Sequence, residues 1–175
     1  MTPPDLARGA GPPAAERRDL AGLVLTGLLL AGCAPPPPQI PYGAPISLEQ
    51  AKKVLAGAEA EARKNQWNMV IAVLDSGGHL VMLARMDGTQ LGSIEAAKDK
   101  AYSAVLYRRP TKVFQDLVGQ GGANLRLLRL SGASPLEGGI PILVDGKIVG
   151  AVGVSGAASE QDAQVAKAGA DALTK

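Results

Sequence analysis

Residues 73–88 read VLDSGGHLVMLARMDG and hold the only histidine of the chain, His79, directly after two glycines. Arg85 follows six positions later, and Asp87-Gly88 closes the stretch. A neutral imidazole can ligate a metal or carry a proton near neutral pH. A guanidinium presents a planar fork that grips a carboxylate. His79 therefore either serves a site or begins a strand after a turn. Arg85 either pairs with Asp87 or holds the carboxylate of a ligand.

A single histidine narrows the chemistry. Any serine or cysteine triad would have to converge on His79, and a centre with two histidine ligands is excluded. Gly153-Val154-Ser155-Gly156 is only a partial likeness of a nucleophile elbow. Glu59-x-Glu61 puts its carboxylates on different faces of a helix, where they are solvated. No phosphate-binding P-loop is present, and the glycines of GQGG follow a helix rather than a strand. Met82 and Met86 share one face of a strand and read as core.

The 175 residues are 46% apolar but only 3% aromatic, which implies one domain with an aliphatic and alanine core. A net charge of +2, widely dispersed, argues against nucleic acid as a partner. Cys33 stands alone, so no disulfide forms within the chain. Arg8, Arg17 and Arg18 precede an apolar run from Leu20 to Cys33 that ends in Leu-Ala-Gly-Cys. The run is shorter than the ~20 residues a spanning helix needs and has the layout of a secretory signal. Its end resembles a lipobox. The expectation is a signal peptide over residues 1–32, a lipid on Cys33, and a stiff proline-rich tether over 33–45 built on Pro35–Pro38, Pro41 and Pro45. The body, residues 46–175, would then sit at a membrane surface facing the periplasm or exterior.

The elements that must position these residues are legible. Ser47-Leu48-Glu49-Gln50 forms a capping box, and Ala51, Val54, Leu55, Ala58 and Ala62 make one apolar stripe of a helix over 47–64. Met69–Leu74 and His79–Met86 read as strands joined by a glycine turn. Ser93–Leu106 returns to helical spacing with a face of small residues, and Thr111 caps a short amphipathic helix after Pro110. Residues 119–122 form a loop. Ile140–Val144 and Lys147–Val154 flank an Asp145-Gly146 link suited to a type I′ hairpin. A last helix begins at Ser159-x-x-Asp162. Two direct hairpins imply antiparallel pairing, so the fold class is α+β.

VLDSGGHLVMLARMDG, AAKDKAYSA, GGIPILVDGKIVGAVGVSGA and a final helix bearing Glu160-Gln161-Asp162 together resemble the GlcG/HbpS family of small haem-binding proteins. The likeness runs from Ile46 to Leu173 and extends to the C-terminal domain of PduO-type cobalamin adenosyltransferases. It implies a profilin-like, three-layer α/β/α fold with a central antiparallel sheet of about five strands, assembling as a homo-oligomer. Some members bind haem or sense redox or iron stress, and others are encoded with glycolate-oxidation enzymes. Carried onto this chain, the motif residues are His79, Arg85, Asp87, Lys100, Ser103 and the Gly153–Gly156 segment with Ser155. Where the family has Lys-Ala-x-Thr-Ala, this chain has Lys100-Ala101-Tyr102-Ser103-Ala104. His79 would be the iron ligand of a bound haem, with Tyr102 or Tyr107 as weaker oxygen donors. Apart from the likeness, Lys100 reads as a solvated helix lysine, and Ser103 as a packing residue bonded to its own helix.

The function expected is a lipid-anchored, extracytoplasmic protein that binds haem or a related anionic ligand without turnover. The alternative is an enzyme or accessory protein for a small carboxylate or hydroxy acid, in which Arg85 grips the acid while Lys100, Asp87 or His79 moves protons.

Overall fold

The computed structural model describes residues 39–174. The signal, Cys33 and the first tether prolines lie outside those residues.

Helix α1 (Leu48–Lys64) starts where the capping box places it. The Ser47 hydroxyl accepts from the Gln50 amide at 3.2 Å, and the Gln50 side chain accepts from the Ser47 amide at 2.9 Å. Strands β1 (Val70–Asp75) and β2 (Leu80–Arg85) form the first hairpin, followed by α2 (Ser93–Leu106) and α3 (Lys112–Gly119). A 3₁₀ segment (Gly122–Arg129) leads to strands β3 (Gly139–Val144) and β4 (Lys147–Ser155), and α4 (Ser159–Asp171) ends the fold. Asp145 and Gly146 both have positive φ, 50° and 72°, as a type I′ link demands.

The sheet is antiparallel throughout, in the order β2-β1-β4-β3. Alternation along β1 divides its side chains between two cores. Val70, Ala72 and Leu74 pack with Ala97, Ala101, Ala104 and Val105 of α2. Ile71 and Val73 face the opposite layer with Val54 and Ala58 of α1 and Val165 and Ala166 of α4. Three layers result, with α2 alone on one side. Gly153 explains the close seat of α2, because a Cβ there would collide with the carbonyl of Ala97.

The sheet has four strands rather than about five. Past the end of β1, residues 41–46 lie beside β4. Ile148 donates to the Pro41 carbonyl at 2.9 Å, and Gly43 and Ile46 donate to the carbonyls of Ile148 and Val149, each at 2.8 Å. Pro41 and Pro45 bring no N–H, so the pairing stops at one parallel bridge, Tyr42 to Ile148, and no fifth strand grows. Thr111 also departs from expectation. Its hydroxyl does not cap α3 but accepts from the Gly139 amide at 2.9 Å, tying that helix to β3.

Candidate functional site

The corner between β1 and β2 is built around one carboxylate. Asp75 Oδ1 accepts the amides of Gly77 at 2.8 Å and His79 at 2.9 Å, and His79 Nδ1 stands 3.4 Å from the same oxygen. Partial desolvation raises the Asp75 carboxyl. The two amides and the adjacent imidazole more than offset this and hold it below the ordinary aspartate value. The His79 side chain is 83% exposed. With Nδ1 turned to a carboxylate, Nε2 is presented outward, which is how a metal-ligating imidazole is oriented and kept in one tautomer.

Tyr102 of α2 flanks the same corner. Its ring lies between two glycines of positive φ, where a Cβ would come within 2.9 Å at Gly78 and 2.7 Å at Gly132. The hydroxyls of Tyr42 and Tyr107 donate to the carbonyls of Val105 at 2.8 Å and Ser131 at 2.6 Å. Among the described residues the Tyr102 hydroxyl has no such partner, so Tyr102 rather than Tyr107 keeps a free oxygen. Beside the ring is a cleft of ≈ 220 Å³ lined by Leu74, Gly78, Leu80 and Tyr102, with Glu95, Lys98 and Asp99 on its rim. A second hollow of ≈ 430 Å³ shares Asp99 and is walled by the chain from Gly132 to Leu136. Ser103 fixes that wall. Its hydroxyl accepts from the Ser134 amide at 3.0 Å instead of bonding within its own helix.

Lys100 is not solvated. Its ammonium is buried between sheet and α4, donating to Asp162 Oδ2 at 2.6 Å and to the Val154 carbonyl at 3.0 Å. Asp162 Oδ1 accepts from the Ala157 amide at 3.1 Å. Burial pushes the Asp162 carboxyl above its ordinary value, and Lys100 with the neighbouring amides only partly offsets that.

Arg85 and Asp87 lie at the other end of β2 from His79. A strand rises about 3.3 Å per residue, so six positions separate His79 from Arg85 by about 20 Å. Both are exposed, and among the described residues they form no ion pair with each other. Register puts Arg85, Val70 and Ser155 in one row across the sheet, on the face covered by α2. The hydroxyls of Ser155 and Ser93 meet there at 3.4 Å. The motif residues thus fall in three places. His79 and Tyr102 share the hairpin corner, Arg85 and Ser155 share the opposite end, and Lys100 is sealed inside.

Asp75, Gly132 and Asp162 carry parts of this arrangement that spacing alone did not single out as site residues. A signal existed for Asp162. Asp162, Val165, Ala166, Gly169 and Ala170 form one buried stripe of α4, so the carboxylate sits on an apolar face. Lys100 is likewise flanked by buried Ala97, Ala101 and Ala104. A charge on each of two apolar stripes points to a pair.

Comparison with known proteins gives a consistent result. The family model described as haem degrading protein HbpS-like matches residues 46–171. Protein GlcG of Escherichia coli is 45% identical over 110 residues, covering 63% of this chain and 81% of GlcG. The corrinoid adenosyltransferase PduO of Salmonella typhimurium is 30% identical over 140 residues, covering 79% of this chain but 42% of PduO. Among solved structures, HbpS superposes with a TM-score of 0.69 at 31% identity, covering 80% of this chain and 98% of that one. A PduOC:heme complex gives 0.67 at 27%, covering 74% and 95%. The chain therefore belongs to the HbpS-like family.

Proposed function

We propose that this chain is a lipid-anchored, extracytoplasmic haem-binding protein, in which His79 ligates the iron and the cleft beside Tyr102 receives an edge of the macrocycle. The observation that carries this reading is the His79–Asp75 contact, which leaves an exposed imidazole on the same hairpin corner whose Gly78 and Leu80 line the cleft beside Tyr102. The donor set offers one nitrogen ligand and apolar sides from Leu74, Leu80 and Tyr102; on the rim Lys98 is paired with Glu95 at 2.8 Å, so a propionate would have to take the place of that carboxylate. Arg85 is too far from His79 to serve the same propionate. Haem supplies a redox-active iron when bound, while the chain orients it and sets its access to water. Membership of the HbpS-like family and the likeness to the PduOC:heme complex support the same ligand class. The slot is open to solvent on one side, so a second copy of the chain laid over it would complete the enclosure. We extend the reading to a homo-oligomer on that ground.

Titration of the purified chain with haemin, followed at the Soret band, tests the reading. Wild type is expected to shift the band and His79→Ala to lose the shift. Identical spectra for the two proteins reject His79 as the ligand, and no shift in wild type rejects haem.

A second reading rests on the opposite end of the sheet. Arg85, with no ion pair among the described residues, shares a row with Ser155, which meets Ser93. That combination suits a small carboxylate or hydroxy acid. A rise in melting temperature with such acids, absent in Arg85→Ala, would favour it.

A further inference from the structure

The stretch from Tyr107 to Ser131 holds five of the 18 Lys and Arg residues of the chain but only one of its 16 Asp and Glu residues. Positive charge is therefore concentrated here, although the whole chain is nearly neutral. Within the stretch, the 3₁₀ segment has a regular exposure pattern. Asn124 and Leu127 are partly buried, while Leu125, Arg126, Leu128 and Arg129 are exposed. Residues three apart eclipse one another in a 3₁₀ helix. Leu125 and Leu128 thus form one outward stripe, Arg126 and Arg129 the neighbouring one, and Asn124 with Leu127 the inward one. Leu128 is 57% exposed, and Leu130 and Val113 widen the apolar surface. Among the described residues, Arg126 and Arg129 make no ion pair. An exposed leucine row beside an arginine row is costly in water and suits a surface that is anionic outside and apolar beneath.

We infer that this leucine and arginine face rests on an anionic lipid bilayer. The place where the chain enters the body supports that occupant. The Tyr107 hydroxyl donates to the Ser131 carbonyl at 2.6 Å, fixing the end of the 3₁₀ segment to the last turn of α2. On the next residue, Arg108 donates to the Ile40 carbonyl at 3.4 Å, and its guanidinium stacks 4.3 Å above the Tyr42 ring. The tether therefore leaves the body at the corner that bears the face. Seven Cα-to-Cα steps lead from Cys33 to Ile40, a span of at most about 25 Å. A lipid on Cys33 would keep Ile40 within that distance of the headgroups, and so hold this corner of the body near the bilayer. The inference rests on the lipid-anchor reading for its orientation, but not on haem.

The test uses the mature chain, residues 33–175, carrying Cys33→Ala, so that neither the signal nor an acyl group contributes, and compares it with the same chain also carrying Arg126→Gln/Arg129→Gln or Leu125→Ser/Leu128→Ser. Each is sedimented with vesicles of phosphatidylcholine alone and of phosphatidylcholine with about one-third phosphatidylglycerol. Binding is expected to be tighter on the anionic vesicles. The arginine pair variant should weaken that binding about 30-fold, and the leucine pair variant roughly tenfold. Equal binding to both vesicle types, or arginine and leucine variants that bind as wild type does, overturns the inference. So does a leucine variant that changes only the mass of the protein in solution, since the stripe would then seat a second copy. Palmitate labelling of the Cys33 chain reads the anchor separately, so failure of the anchor and failure of the face give different results.

Discussion

Lys100 Nζ lies 2.6 Å from Asp162 Oδ2, with each side chain 3% exposed, and the pair fastens α2 to the first turn of α4. Removing two charges from water costs several kcal/mol, and here burial outweighs the pull of Lys100 on Asp162. The contact holds two layers in place without making a large net contribution to stability.

Lys100→Met leaves a buried carboxylate without its cation and should cost about 3–5 kcal/mol. The double substitution Lys100→Met/Asp162→Leu removes both charges and should recover most of that loss or exceed wild type. Urea unfolding of the three proteins decides the matter. A double variant no better than the single one contradicts this account.

The same pair sets a pH dependence. The native state keeps a proton on Asp162 to higher pH than the unfolded chain does. Between the ordinary and the raised value the folded protein binds more protons, so stability falls as pH rises through that window. Asp162→Asn has no carboxyl to titrate and lacks this component. Unfolding free energies measured from about pH 3 to about pH 7 should give a wild-type-minus-variant difference that decreases upward through the window. A flat or rising difference refutes it.

Asp75 should matter to haem through His79. Asp75→Asn keeps an acceptor for the Gly77 and His79 amides but removes the charge facing Nδ1. Loss of such a partner typically weakens a ligand about 10–100-fold. Haemin affinity is expected to fall in that range while the circular dichroism spectrum is unchanged. An unaltered affinity would show that the carboxylate does no more than close the turn.

Gly132→Ala should disturb the slot without touching the imidazole. Its Cβ would stand 2.7 Å from the Tyr102 ring on a backbone of positive φ, at a cost of about 1–3 kcal/mol. Tyr102→Ser in the same chain vacates the space and should restore part of the stability. Thermal melts of the single and double variants measure this, and no restoration would mean the strain lies in the backbone alone.

The fold was legible because each element repeats its instruction. The stripe from Ala51 to Ala62, the β1 alternation and the Asp145-Gly146 link all recur in the structure at or within a residue or two of the positions the sequence indicates. The site was harder to read. His79 and Arg85 are close in sequence, but a strand between them turns proximity into separation. Helical spacing places Lys100 on a buried face, yet a lone lysine says nothing of its partner 62 positions on. The four strands indicated by the residues all form; the fifth was implied by the family resemblance alone, and residues 41–46, which lie where it could grow, pair with β4 only through single hydrogen bonds that prolines keep from extending.

Those few bonds have a mechanical consequence. Any pull arriving through the residues before Gln39 is delivered first to the Pro41–Ile46 segment, and from there to Ile148 and Val149 in the central strand. The segment is held to β4 by three backbone hydrogen bonds, which together take the load. The point of attachment lies beside the pairing of Gly150 with Asp75, so a tug on the tether reaches the His79 corner through a single step of the ladder.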